Sequence, residues 1–168
     1  MPSYNDYRQI PYTPSQLFDI VSDIERYHEF LPWIHACRIK ERDDNVLIAD
    51  MSVGFGAYRE SFTSRVTLNE PHHIKVDYIR GPLKYLHNEW FFQAVGNNET
   101  MLRFSVDFAF RNKVFKTLAG RYFMDAVKKM SSAFEERAHS MYNQQFPSVK
   151  SVTKPSASAS WLTANPIA

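Results

Sequence analysis

The residues best suited to acid–base or metal chemistry are six histidines, His28, His35, His72, His73, His87 and His139, and their spacing supports neither. No pair forms the HExxH spacing that sets two imidazoles on one helix face around zinc. His72 and His73 follow Pro71 in a turn and read as solvated, and His87 sits on the outward register of its strand. The single cysteine, Cys37, excludes an internal disulfide and any multi-cysteine zinc site. On an early strand it reads as a small buried hydrophobe. There is no G-x-S-x-G elbow to expose a serine nucleophile and no glycine-rich phosphate loop. What remains is noncovalent chemistry. The chain holds 13 Phe, 9 Tyr and 3 Trp, and aromatics make up 15% of it, which calls for a large core, a large pocket, or both.

Those rings are placed by alternation. Leu47, Ala49, Met51 and Val53 share one strand face. Tyr58, Glu60, Phe62, Ser64, Val66 and Leu68 share a second, and Ile74, Val76 and Tyr78 a third. Leu86, Asn88, Trp90 and Phe92 follow, then Leu102, Phe104, Val106, Phe108 and Phe110. Turns at Asp43-Asp44-Asn45, Gly54-Phe55-Gly56, Asn69-Glu70-Pro71, Gly81-Pro82 and Gly96-Asn97-Asn98 separate them. A strand over 4–10 precedes these, and a helix opens at Thr13-Pro14-Ser15-Gln16, with Thr13 as N-cap and Gln16 completing a capping box. Leu17, Ile20, Val21 and Ile24 line one side of that helix. A helical turn over 26–31 stops before Pro32. From Lys113 to about Asn143 the period becomes 3.6, for a helix of roughly 45 Å. Ala119, Phe123, Ala126, Met130, Phe134 and Met141 form its stripe, widened by Leu118, Tyr122, Val127 and Ala133.

This order predicts an α+β fold. Short turns make the sheet antiparallel, and one apolar face per strand leaves it covered on one side. The long helix is the cover. A sheet of about seven strands curls as it twists, and space beside the helix becomes a cavity wherever side chains do not fill it. A closely packed core would satisfy the same periodicity. Three polar residues fall on the inward register and each needs a partner: Glu60, Ser64 and Asn88. Glu60 lies near the Gly56 break, where a bulge would turn it outward. Asn88 is the candidate donor to a ligand carbonyl, with a backbone partner as the alternative.

Lysines and arginines number 20 against 18 acids, a net charge of +2, which argues against a dedicated nucleic-acid binder. No run reaches the ~18 apolar residues of a membrane span. The opening MPSYNDYRQIPY has neither a signal nor a transit pattern, which favours a bacterial cytoplasm over a mitochondrial matrix. Residues 1–146 read as one domain and 147–168, rich in Ser, Ala, Thr and Pro, as a disordered tail with Trp161-Leu162 its one apolar pair.

Four strings in this order carry a resemblance: Phe30-Leu31-Pro32-Trp33, the run from Arg59 to Val66, Gly81-Pro82-Leu83-Lys84-Tyr85-Leu86 with Trp90 and Phe92, and Val106 to Arg111 entering the long helix. Over roughly residues 3–143 the chain resembles the coenzyme Q-binding START-domain family, within the polyketide cyclase-like, helix-grip (Bet v-like) superfamily. Many relatives carry Cys after the Pro-Trp pair. Here Ile34 stands there, so no role rests on a thiol at that point. The resemblance implies a curved antiparallel sheet gripping the C-terminal helix and a hydrophobic cavity for ubiquinone or another polyprenyl lipid. It implies no cofactor beyond that ligand, no catalysis, and a carrier role in respiration and ubiquinone biosynthesis, with the proteins of those systems as partners. Bacterial relatives described as inhibitors of ribosomal subunit association supply a second reading, and aromatase/cyclases a third.

The candidate ligand-binding set is Phe62, Val66, Val76, Tyr78, Asn88, Trp90, Phe92, Phe104, Val106 and Phe108 from the strands, Trp33 from the Pro-Trp string, and Tyr122, Val127 and Met130 from the long helix. Phe55, Tyr58, Leu83 and Lys84 form a candidate lip against an anionic bilayer, with Arg59, Arg111 and Lys113 near them in sequence. The expected location is peripheral to the bacterial inner membrane, or the matrix side of the mitochondrial one. Because the tail has so little to bury, truncation at Pro147 is expected to leave the melting temperature and bound lipid unchanged. Differential scanning calorimetry and lipid extraction of the truncated protein check this, and a clear drop in either makes the tail part of the fold.

Overall fold

The structure, a computed structural model, describes residues 3–55 and 57–143, with Phe55 described by its backbone only. The tail expected over 147–168, with Trp161 and Leu162, lies outside the described residues. The elements in order are β1 (Ser3–Ile10), α1 (Pro14–Ser22), a 3-10 helix (Ile24–Glu29), β2 (Ile34–Asp43), β3 (Val46–Phe55), β4 (Tyr58–Asn69), β5 (His73–Arg80), β6 (Leu83–Gly96), β7 (Glu99–Phe110) and α2 (Lys113–Asn143).

Local chemistry sets the boundaries. The capping box at α1 is formed: Gln16 N donates to Thr13 Oγ1 at 3.2 Å and Thr13 N to Gln16 Oε1 at 2.9 Å, satisfying two otherwise orphaned donors. Asn112 caps α2, its Oδ1 accepting from Phe115 N at 2.8 Å. Asp44 takes a φ of 55° in the β2–β3 turn, a conformation that short polar side chains tolerate. Gly81 takes a φ of 146° before β6, and a Cβ there would stand 2.8 Å from Tyr78 Oη and 3.0 Å from Phe62 Cδ1.

The seven strands form one antiparallel sheet in the order β1-β7-β6-β5-β4-β3-β2. Strands β2 to β7 follow one another as hairpins, while β1 pairs with β7 across the far edge. The β3–β4 ladder runs unbroken from Val46↔Thr67 to Phe55↔Tyr58. The register shift in β4 falls instead between Thr63 and Ser64, on the β5 side. Glu60 therefore keeps the face of Tyr58 and Phe62, half-buried, and is not turned out by a bulge.

α2 lies over the inward face and buries Phe115, Ala119, Phe123, Ala126, Val127, Ser131, Phe134 and Ala138. Its stripe is narrower than the spacing implies. Leu118 and Tyr122, expected to widen it, are 54% and 48% exposed. They sit on the far side of the helix from the sheet, where no element covers them among the described residues. The two halves of α2 are held differently. The C-terminal half is tied by polar contacts: Arg8 to Glu135 at 2.9 Å, Arg137 to Glu29 at 2.6 Å, and Tyr142 Oη donating to the Gln16 carbonyl at 2.9 Å. Tyr12 Oη donates to Asn143 Oδ1 at 2.8 Å and lies 2.8 Å from His139 Nδ1. The N-terminal half rests on ring contacts, Phe115 with Tyr58 at 5.1 Å and Phe110 at 5.2 Å, and Phe123 with Phe108 at 4.6 Å.

Tyr12→Phe removes the hydroxyl at the centre of the C-terminal tie. It is expected to cost about 1 kcal/mol and to lower the melting temperature by about 2–4 °C. Calorimetry of the variant checks this, and an unchanged melting temperature shows that packing alone seats the end of α2.

Candidate functional site

Between α2 and the sheet lies an apolar cavity of about 140 Å³. Alternation on the strands delivers its floor. Phe62 and Val66 come from β4, Val76 from β5, Asn88 and Trp90 from β6, and Phe104 and Val106 from β7. α2 supplies the roof through Phe123, Ala126, Val127, Met130 and Phe134. Trp33 closes one side, ahead of β2. Trp90 sits at the centre of the ring cluster, 4.6 Å from Phe104 and 4.9 Å from Phe134 between centroids. The candidates Trp33, Phe62, Val66, Val76, Asn88, Trp90, Phe104, Val106, Val127 and Met130 are thus brought together around one space.

Four of the candidates are not. Tyr122 faces outward for the reason given above. Phe92 is buried but lies beyond the cavity, packed edge-on against Phe18 of α1 at 5.9 Å. Phe108 is also core, enclosed by Phe110 at 5.5 Å and Phe123 at 4.6 Å. Tyr78 turns its hydroxyl to the chain, accepting from Leu83 N at 2.8 Å. That contact also corrects the proposed lip, because Leu83 is 0% exposed and belongs to the core. Tyr58 is half-buried against Phe115, Lys84 is exposed, and the Phe55 side chain lies outside the described residues.

Alternation on the later strands did not point to a further wall of the cavity. Val21, Ile24, Tyr27, Leu31 and Ile34 come from the segment that crosses from α1 to β2. Their signal was the apolar run at Leu17, Ile20, Val21 and Ile24, which marked a buried helix face without saying what it faced.

The polar inventory of the lining is short: Tyr27, Ser64, Asn88 and the indoles of Trp33 and Trp90. Tyr27 Oη donates to the Val21 carbonyl, and burial pushes its phenol far above the usual range. Asn88 is committed at both ends of its amide. Its Nδ2 donates to the Ser105 carbonyl at 2.9 Å and its Oδ1 accepts from Trp90 Nε1 at 3.1 Å. The carbonyl-recognising role expected of Asn88 is therefore taken up by internal partners. The Ser64 hydroxyl and the Trp33 indole N–H make no hydrogen bond among the described residues and are the polar groups left open to a guest. None of the lining residues described is an Asp, Glu, His, Lys, Arg or Cys, and the one titratable group of the wall, the Tyr27 phenol, is held protonated by burial and spent on the Val21 carbonyl.

The titratable residues singled out in the sequence lie elsewhere. His73 stacks on Phe91 at 4.5 Å and meets Glu89 at 2.8 Å, away from the cavity, and His87 lies 3.3 Å from Asp77. Among the described residues no group of His, Cys, Asp and Glu is arranged to hold a metal ion. No described helix is long and apolar enough to cross a membrane.

Comparison with known proteins places this geometry. The model of the family described as polyketide cyclase / dehydrase and lipid transport matches residues 10–135. The chain is 35% identical over 142 residues to the ribosome association toxin RatA of Rickettsia prowazekii, covering 82% of this chain and 97% of that one. It is 30% identical over 146 residues to the mitochondrial coenzyme Q-binding protein COQ10 of Drosophila melanogaster, covering 79% of this chain and 60% of that one. A START superfamily protein from Mycobacterium smegmatis superposes with a TM-score of 0.71 at 17% identity, over 83% of this chain and 98% of that one, which shows the fold. Neither relative carries the name of an enzyme.

Burial, with Glu25 adding to it, pushes the Cys37 thiol up to about 12. The thiol is then protonated at neutral pH, and the thiolate is the reactive species. Native protein at pH 8 is expected to alkylate with iodoacetamide far more slowly than urea-unfolded protein. Equal rates, read by intact-mass spectrometry, would show a reactive thiol after all.

Proposed function

The chain belongs to the polyketide cyclase/dehydrase and lipid transport family, and we propose that it binds ubiquinone or a related polyprenyl quinone in this cavity and carries it for respiratory electron transport and ubiquinone biosynthesis. The observation that carries the reading is the lining: aromatic and aliphatic almost throughout, without a described carboxylate, imidazole, amine or thiol, and with one uncommitted hydroxyl at Ser64. Flat rings favour a flat guest, and a single hydroxyl suffices to orient a carbonyl. The named relative COQ10 binds coenzyme Q, which supports the same guest. A carrier needs no titrating group, and the histidines and Cys37 stand outside the cavity. The proposed location is a membrane periphery, on the cytoplasmic side in a bacterium or the matrix side in a mitochondrion.

Size limits how the guest sits. The cavity of about 140 Å³ matches the ~150 Å³ that accommodates one benzene-sized molecule, well short of the ~300–1,000 Å³ of a typical ligand pocket. A substituted quinone ring with its isoprenoid chain requires the walls to move apart. The soft side chains of Met51 and Met130 line the space and adapt at low cost. The first half of α2, seated by apolar packing with no ion pair to the sheet among the described residues, is the wall with least to break.

A second reading has one observation in its favour, the 35% identity to a ribosome association toxin. It requires salt-dependent co-sedimentation with ribosomal subunits and no dependence on cavity character. A cyclase would require acid–base groups that the described lining lacks.

The test is mass spectrometry of lipids extracted from the purified protein, with Val76→Asp or Phe104→Asp as the cavity variant. An unpaired buried charge costs several kcal/mol, so only variants that remain folded by circular dichroism are informative. In those, bound quinone and respiration are expected to fall together, while conservative changes at His72, His73 and Cys37 leave both intact. Wild-type protein free of quinone, or a cavity variant with undiminished respiration, overturns the proposal.

A further inference from the structure

The outward face of α2 carries three apolar side chains that nothing covers among the described residues: Val114, Leu118 and Tyr122, at 67%, 54% and 48% exposure. At spacings of i, i+4 and i+8 they form one line of about 12 Å along the helix. The helix has no need of them for folding, since Phe115, Ala119 and Phe123 already bury its opposite side. Beside the line stand the exposed cations Arg121, Lys128 and Lys129, with Asp125 among them, while the exposed Lys113 and Lys116 lie across the helix toward Lys84 and Phe110. None of these cations forms an ion pair among the described residues, in contrast to Arg8, Arg26 and Arg137. Residues 111–130 hold six cations and a single acid, Asp125, in a chain whose net charge is only +2. Charge and exposed apolar surface are therefore concentrated on the same helical segment.

From this juxtaposition we infer that the outward face of α2 between Val114 and Lys129 is a docking surface for an anionic lipid bilayer, with the apolar line entering the headgroup boundary and the cations meeting the lipid phosphates. Two rival occupants fit less well. A second copy of the chain would press unpaired cations against their like. A nucleic acid would find aliphatic Val114 and Leu118 where base-stacking rings or polar groups are needed. An amphipathic helix with a basic rim beside an apolar line is the arrangement that lies in a membrane interface.

The inference rests on the carrier reading and extends it. The segment that would dock also forms the cavity roof through Phe123, Ala126 and Val127 on its other side. Its polar side chains make no hydrogen bond or ion pair to the sheet among the described residues. Docking would therefore set the least tethered wall of the cavity against the membrane that holds the lipid.

Co-sedimentation of the full chain with vesicles tests this, using phosphatidylcholine alone and phosphatidylcholine with about one third phosphatidylglycerol. Binding is expected to the anionic vesicles, weaker to the neutral ones, and reduced by salt. Val114→Ser/Leu118→Ser and, separately, Lys128→Gln/Lys129→Gln are each expected to weaken it roughly tenfold. These positions are exposed, so circular dichroism and melting temperature should stay as in the wild type. No binding of the wild type to anionic vesicles, or undiminished binding by both variants, overturns the inference. So does a wild-type dimer that the serine variant converts to monomer in sedimentation velocity. Quinone content separates this surface from the cavity: the surface variants should retain extractable quinone, while Val76→Asp should lose it and still bind vesicles.

Discussion

An open sheet with one apolar face requires a cover, and here α2 provides most of it. The burial of Phe115, Phe123 and Phe134 against the rings of β4, β6 and β7 couples every part of the domain. It seals the sheet interior. It also defines the cavity, because a helix laid over a curved sheet does not match its shape along the whole length. The unfilled space is a consequence of that mismatch in shape.

The mismatch is managed unevenly. At its C-terminal end α2 is locked by charged and hydroxyl contacts to β1, α1 and the 3-10 helix. At its N-terminal end ring and aliphatic packing holds it down. Ring contacts tolerate sliding, whereas a hydrogen bond between buried partners is lost outright when either moves. The same helix is thus anchored at one end and adjustable at the other. The adjustable end carries the uncovered apolar line and the unpaired cations.

Polar accounting inside the cavity points the same way. A group that must orient a guest has to be free of internal partners, yet an unpartnered buried group is costly. The Tyr27 hydroxyl and the Asn88 amide are spent on the fold itself. Ser64, half-buried, is left open at modest cost. A lining with so little polar chemistry selects for shape and apolarity more than for a hydrogen-bond pattern.

The sequence by itself determined everything that depends on backbone periodicity and turn chemistry. Alternation is local, so the inward faces of β3 to β7 were legible from Leu47 to Phe110, and the capping box at Thr13 and Gln16 was legible from two residues. The ring-rich floor of the cavity followed from those faces. Tertiary structure alone decided how far α2 is covered, because a helical stripe does not say how much of the helix circumference the sheet beneath it reaches. That is why Leu118 and Tyr122 lie outside. It also decided which inward residues face space and which face neighbours. Phe92 and Phe108 share the inward register with Trp90 and Phe104, but α1 and Phe123 reach them first. Leu83 was misplaced for the same reason: only the folded chain brings the Tyr78 hydroxyl to its amide and closes the turn over it. Registers are written along the chain, whereas the boundary between a packed core and a cavity depends on how separately formed elements meet.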